Sequence, residues 1–370
     1  MSAGGKIRVA IVFGGQSPEH EISILSARNV LAALDRSRFE PVLIGIDRSG
    51  RWLSQDPDRL LGSARDPRQA RIEDGPPLPM DLTRALPASA AKVSAASIDV
   101  IFPVLHGPLG EDGTMQGLFE LAGIPYVGAG VLGSAIGMDK DVMKRLLRDA
   151  GIPVARFAAL RREQFDADPG RACSGLASLG LPVFTKPANA GSSVGIRRVT
   201  DAAALAEAIR YAFEFDTKVI VEQQVLAREI ELAVLGGNPP SVSVAGEIVV
   251  QHRDGFYSYA AKYLDEHGAQ LELPARIGAD ELARAQALAR RAFEVLECEG
   301  LARVDLFLRS DGSLLVNEIN TIPGFTAISM YPKLWELSGL APRDLITRLI
   351  ELALERGRRR AALNRLSGAV

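Results

Sequence analysis

Arg303, Asp305, Glu318 and Asn320 are the residues whose types and spacing most directly suggest chemistry. They lie in the segment LARVDLFLRSDGSLLVNEIN, residues 301–320, where Asp311-Gly312 separates two apolar runs. An Asp-Gly pair in that setting is a hairpin signal. A two-residue turn pairs Ser310 with Ser313, and a four-residue loop gives the same register. Counting outward, Asp305 then faces Glu318 and Arg303 faces Asn320. Side chains alternate faces along a strand, so the four polar groups share one face. Opposed carboxylates repel, and burying them without a partner is costly. A divalent cation relieves both problems. Two carboxylates and an amide oxygen are hard ligands that suit Mg²⁺ completed by phosphate oxygens. The competing readings are an exposed polar face or an Arg–Asp salt bridge, and a one-residue bulge would break the alignment.

Two glycine-rich loops follow other apolar runs. Lys186-Pro187 leads into 188–195, ANAGSSVG. Small residues there let backbone N–H groups approach phosphates, and Lys186 adds a point charge. The loop lacks the Walker pattern and reads equally well as a flexible hairpin. HGPLGEDGT, residues 106–114, lies between a strand and a helix, where open α/β sheets bind ligands. Asp112 or Thr114 also serves as a helix cap there. Residues 252–268, HRDGFYSYAAKYLDEHG, mix aromatics and charges in a long loop, the pattern of a lid or of ordinary surface.

Other motifs point away from competing chemistries. Residues 128–133, GAGVLG, match G-x-G-x-x-G literally. Asp149, about 20 positions on, falls inside the next helix rather than after a second strand, so a tight turn is the better reading than a dinucleotide site. Lys140 and Lys144 lie one helical turn apart, a position usually solvated. The four histidines lack zinc spacing, and no G-x-S-x-G elbow occurs.

The elements that must position these groups alternate along the chain. An apolar strand over 7–13 ends in Gly14-Gly15, and a helical stripe follows at Ile24, Ala27, Leu31 and Leu34. Further strands are expected near 41–46 and 98–104, and a helix ends at Gly123. A Pro-rich stretch covers 54–93. Helices over 139–150 and 201–215 alternate with strands near 153–160, 181–187, 195–199 and 218–225. Strands near 229–235 and 242–250, a helix over 279–298, the hairpin and one terminal helix complete the pattern. The tail RGRRR at 356–360 reads as a solvated helix end. The expected division is an N-terminal open α/β unit, 1–128, and two α+β units, 129–225 and 226–370.

Composition is that of a folded globular chain, 47% hydrophobic and 24% charged. A net charge of −2 gives no electrostatic reason to expect nucleic acid. Cys173 and Cys298 make no disulfide framework. The apolar run near the amino terminus is too short for a signal core, and no stretch approaches a membrane span. A soluble, cytoplasmic protein with no membrane partner is expected.

Taken together, the motifs resemble the D-alanine–D-alanine ligase family of ATP-grasp enzymes. The resemblance runs through GGQSPEHEIS, HGPLGEDGTMQG, GMDK at 137–140, KPANAGSSVG, VEQQVLAREIELAVL, AAKY and RVDLFLRSDGSLLVNEINTIPGFTAIS in the family's order. It implies an ATP-grasp fold of α/β and α+β units, with ATP gripped between the second and third. Lys140, Lys186 and Lys262 would meet the phosphates, Glu222 and Gln223 the adenine edge, and Glu229 the ribose. Many members carry lysine where this chain has Gln223. Asp305, Glu318 and Asn320 would bind two Mg²⁺ ions, with Mn²⁺ as a substitute. Glu21 would hold the first substrate's ammonium and form a set with Ser192 and Tyr263. Arg303 and the Gly324 amide would stabilise an oxyanion, and Ser329 would hold the second carboxylate.

The activity implied is ATP-dependent joining of two D-alanine molecules for peptidoglycan precursors, by a homodimer. Tyr263 favours an amine nucleophile, because relatives that make D-alanyl-D-lactate tend to differ there. The rivals are a depsipeptide or other carboxylate–amine ligase, a silent nucleotide-binding regulator, and a nicotinamide dehydrogenase.

Overall fold

The computed structural model describes residues 5–63, 66–78, 98–250 and 269–363. Three sheets succeed one another along the chain. The first, ordered β3-β2-β1-β4, is built from β1 (Ile7–Gly14), β2 (Phe39–Ile46), β3 (Trp52–Gln55) and β4 (Val100–Pro103). β1 runs parallel to β2 and β4, and β3 is an antiparallel edge. Residues 9–13 are wholly buried, as a strand covered on both faces must be. Helix α1 (His20–Ala33) packs Ile24, Ala27, Val30 and Leu31 against this sheet. β1 lies between β2 and β4, so the chain leaves it on both sides. The crevice at their carboxyl ends is where such sheets take ligands. Gly14 makes the turn there at φ 90°, and a Cβ on it would sit 2.2 Å from the Ile46 carbonyl oxygen. Short α2 (Pro57–Gly62) and α3 (Thr114–Leu121) flank the sheet.

GAGVLG opens α4 (Val131–Met138), which is followed at once by α5 (Lys140–Asp149) and not by a strand. The dinucleotide reading fails on that ground. The second sheet, β5-β8-β6-β7, is antiparallel: β5 (Phe157–Arg161), β6 (Val183–Pro187), β7 (Arg197–Val199) and β8 (Lys218–Gln223). Short α6 (Arg162–Ala167) and α7 (Pro169–Gly175) precede β6. Helix α8 (Leu205–Ala212) lays Leu205, Ala208, Ile209 and Ala212, one helical stripe, onto Val219 and Val221.

The third sheet is ordered β11-β10-β9-β12-β13 and is antiparallel throughout. Its strands are β9 (Ala227–Leu235), β10 (Ser241–Val250), β11 (Ala269–Glu272), β12 (Leu301–Arg309) and β13 (Leu314–Asn320). Ile230, Leu232, Val304 and Leu306 point to α9 (Ala279–Val295) and bury its Ala285, Ala289 and Ala292. Alternation sends Glu231, Arg303 and Asp305 to the opposite face.

Two helices follow where one was expected: α10 (Met330–Leu337) and α11 (Pro342–Ala361). Proline opens α11 because its missing N–H costs nothing at a helix start. The solvated reading of the basic tail is wrong for one residue. Arg356 is 6% exposed and donates to the Gly128 and Tyr126 carbonyls at 2.5 and 2.6 Å. It continues the buried stripe Leu345, Leu349, Leu352 and Ala353, so helical periodicity carries it inward. Among the described residues no helix is long and apolar enough to cross a membrane.

Candidate functional site

The hairpin delivers its polar groups to one face, but by an indirect route. Arg309 N–H bonds to the Ser313 carbonyl at 3.0 Å, which closes a three-residue loop with Gly312 at φ 76°. That loop alone would place Asp305 opposite Asn317. A bulge intervenes: Leu306 pairs with Val316, Asp305 with Glu318 and Arg303 with Asn320, leaving Asn317 over. The extra residue offsets the odd loop, and the expected pairing is restored.

On that face Arg303 clamps Asp305 with two 2.7 Å hydrogen bonds and lies 3.0 Å from Glu231. The salt-bridge reading is therefore realised. Burial opposes the Arg303 charge, yet Asp305 and Glu231 hold its pKa well above the usual value. The Asn320 amide donates to Asp305 at 3.1 Å, so its oxygen is the atom a cation would take. Arg303 and Asn320 together donate three hydrogen bonds to Asp305. Glu318 lies 3.8 Å from the Lys140 ammonium. Among the described residues no three His, Cys, Asp or Glu side chains gather for a metal. Two carboxylates and an amide instead fit a hard cation whose remaining positions go to phosphate oxygens.

Behind this face lies a buried charge cluster. Glu222, 2% exposed, pairs through one oxygen with the Lys186 ammonium and lies 2.6 Å from Lys144 through the other. Burial alone would raise its pKa, but the two lysines hold it down to about 2. Both oxygens of Glu222 thus face lysines. Its partners explain why: β8 alternates, and residue 222 faces Lys186 of the neighbouring β6 and Lys144 of α5. Lys144, expected in solvent, is 1% exposed and donates to the Asn317 carbonyl at 2.9 Å. Burial lowers its pKa and Glu222 opposes the fall. Asp139 caps α5, and Lys218 lies 2.5 Å from it, fixing the helix start that bears Lys140.

The Gly-Ser loop crosses above. Lys140 donates to the Ala190 carbonyl at 2.7 Å. Ser192 and Ser193 hold φ of 49° and 59°, a conformation costly for non-glycine residues and characteristic of functional loops. The Ser192 hydroxyl donates to Glu19. This corrects the assignment of Glu21, whose carboxylate binds Arg48 at 2.7 Å on another side of α1. Glu19 sits at the helix cap, where the chain still faces the crevice. Glu21 is two residues further on, about 200° round the helix. Both acids stand in one PEHE stretch, and only the position of the helix start separates them.

His106 is buried with Nδ1 donating to the Ile322 carbonyl at 2.9 Å, so Nε2 accepts from Ser26 at 3.1 Å. Burial lowers its pKa and keeps it neutral. The Glu111 carboxyl is raised to about 8, first by burial and then by Glu19. Asp112 accepts from the Leu109 and Thr114 amides, but the residue at the cap of α3 is Gly113, not Asp112 or Thr114. Ser329 caps α10, and its Oγ accepts from the Thr326 amide at 2.9 Å. A Cβ on Gly324 would lie 2.8 Å from that oxygen. Gln223 ends β8, where its N–H meets the Arg156 carbonyl at 2.8 Å, and Glu229 opposes Phe307 in β9.

Glu19, His106, Glu111, Lys140, Ser192, Arg303, Glu318, Asn320, Gly324 and Ser329 line one cavity of about 1110 Å³ between the three sheets. Lys262 and Tyr263 lie outside the described residues. Sequence reasoning missed Glu19, Lys144, Glu111 and Glu231. Its place within HGPLGEDG was the available signal for Glu111, and alternation with Ile230 and Leu232 for Glu231. The arrangement can hold a polyanion beside a carboxylate-binding corner, with cations poised where negative charge would gather.

Residues 8–129 match the family model described as D-ala D-ala ligase N-terminus, and 146–351 that of the D-ala D-ala ligase C-terminus. The D-alanine–D-alanine ligase A of Chromobacterium violaceum is 53% identical over 365 residues, 98% of this chain and 99% of that protein. The D-alanine-D-alanine ligase structure from Coxiella burnetii superposes with a TM-score of 0.81 at 36% identity, covering 96% of each chain. The VanG D-Ala:D-Ser ligase from Enterococcus faecalis gives 0.78 at 35%, covering 94% of this chain and 100% of that one. The fold is therefore the ATP-grasp arrangement of mixed α/β and α+β units.

Proposed function

Since this chain belongs to the D-alanine–D-alanine ligase family, we propose that it joins two D-alanine molecules at the expense of ATP. The observation that carries the reading is the single cavity shared by Glu19, Ser192, Lys140, Arg303, Glu318 and Ser329. ATP enters as a substrate, its phosphates between the Gly-Ser loop and the hairpin. Lys140 and Lys186 neutralise the transferred phosphoryl group, joined by Lys262 from the lid segment. Glu222 and Gln223 meet the adenine edge and Glu229 the ribose.

Asp305, Glu318 and Asn320 would hold two Mg²⁺ ions, for which Mn²⁺ substitutes; when bound, they screen the phosphates and polarise the group under attack. Glu19 holds the ammonium of the first D-alanine, with Ser192 and Tyr263 completing the set. The first carboxylate attacks the γ-phosphorus, and ADP leaves. Arg303 and the Gly324 N–H stabilise the oxyanion when the second amine attacks the acyl carbon and phosphate departs. Ser329 holds the second carboxylate. Keeping water from the site protects the acyl phosphate from hydrolysis.

The reading extends to three units, 1–128, 129–225 and 226–370, to a cytoplasmic homodimer, and to a role in cell-wall synthesis and cell shape. Phosphate release from ATP with each amino acid in both enantiomers is the test, with D-lactate offered as the second substrate. Release with D-alanine and a D-alanyl-D-alanine product are expected. Equal release with L-alanine, or a preferred ester product at neutral pH, would overturn it.

A further inference from the structure

Lys144 occupies a position that the ligase chemistry described above does not use. The residue is 1% exposed and does not line the cavity described above. Three pieces of the fold converge on it. It rises from α5, four residues beyond Lys140, so the two lie on the same face of that helix. It lies 2.6 Å from the Glu222 oxygen that Lys186 does not use, and so shares that carboxylate with a phosphate-facing lysine. It also donates at 2.9 Å to the carbonyl of Asn317, the residue left over by the β13 bulge. The bulge is what sets Glu318 opposite Asp305. Removing this ammonium leaves a buried carbonyl without its donor beside the cation-binding pair, and leaves Glu222 to Lys186 alone.

We infer that Lys144 is a positioning residue for nucleotide binding, holding Lys186 through Glu222 and the Glu318–Asn320 end of β13 through the Asn317 carbonyl. Glu222 meets Lys186 through one oxygen and Lys144 through the other, so the carboxylate that holds Lys186 is itself held from α5. The bulge carbonyl, tied to α5, moves with the helix that bears Lys140. One buried cation thus keeps the helix, the central sheet and the hairpin in a common frame around the phosphates.

The inference rests on the ligase reading for the identity of the nucleotide, and the experiment separates the two. Lys144→Met keeps length and bulk without charge, and Lys144→Gln keeps a shortened neutral donor. Binding of the non-hydrolysable analogue AMP-PNP with Mg²⁺ is measured by calorimetry, without D-alanine, for both variants and the wild type. Melting curves are recorded alongside. Loss of a charged, buried hydrogen-bond donor is expected to weaken nucleotide binding by about tenfold or more. The D-alanine KM at the first site is expected to stay within about twofold, since Glu19 and Ser192 lie on other elements. Nucleotide affinity equal to wild type in a folded variant overturns the assignment, as does an equal loss at the D-alanine site, which marks a general structural role. Wild-type protein that binds AMP-PNP but makes no D-alanyl-D-alanine sinks the ligase reading and leaves the role of Lys144 standing.

Discussion

Replacing Glu222 by glutamine removes the carboxylate that pairs with both Lys144 and Lys186. The carboxyl titrates at about 2 in the folded chain, against an ordinary value of 4.5. A gap of about two and a half pH units corresponds to roughly 3 kcal/mol of differential stability. Its side chain is only 3% exposed, so solvent does little to screen the interaction. Folding lowers this pKa, so the contribution is complete above pH 4.5 and is lost as pH falls through the folded value near 2. Glu222→Gln should then cost about 3 kcal/mol at pH 7, because it leaves Lys144 and Lys186 without their shared carboxylate. Urea unfolding followed by tryptophan fluorescence, repeated from pH 7 to pH 3, measures this. The wild-type curve should fall more steeply than the variant's below pH 4.5, by up to about 1.4 kcal/mol per pH unit, so that the two converge. Parallel curves across that range would falsify the shared-carboxylate account, because they would mean that Glu222 titrates alike folded and unfolded.

Two further substitutions test other parts of the structure. Glu19→Gln should raise the KM for the first D-alanine at least about tenfold, as loss of a charge-assisted contact does, while Glu21→Gln should change it about twofold at most; steady-state kinetics showing the reverse order would restore Glu21 to the site. Arg356→Met should destabilise the protein by about 2–4 kcal/mol, since it abandons two buried carbonyls; a variant melting with the wild type would return Arg356 to the solvated tail.

The hairpin was legible because alternation and an Asp-Gly turn are local properties of β12 and β13. Its pairing came out right even though the loop and the bulge each differ from the simplest count. Two irregularities of opposite sense cancel, and neither has a strong local signature. Lys144 and Arg356 were misread for a common reason. A cation on a helix is ordinarily solvated, and whether it is buried depends on acceptors far away in sequence: Glu222 and Asn317 in one case, Gly128 and Tyr126 in the other. For Arg356 the helical stripe already contained the answer. For Glu19 and Glu21 it did not, because a helix boundary shifted by two residues reverses which acid meets the crevice. The three-sheet layout followed from the order of apolar runs, whereas the extra break between α10 and α11 needed the proline at 342 to be read as a start.

Among the described residues β13 ends one side of the third sheet, with β12 as its ladder partner and a single parallel bridge from Val316 to Val154. An exposed strand margin is a template for unwanted association between chains. Here the Val316 N–H is taken by the Pro153 carbonyl at 2.8 Å, and the Asn317 carbonyl by Lys144. The same contacts that align the hairpin's ligands therefore blunt its margin against aggregation. In the folded chain α5 and residues 153–154 thus stand where a strand of a second molecule would have to add.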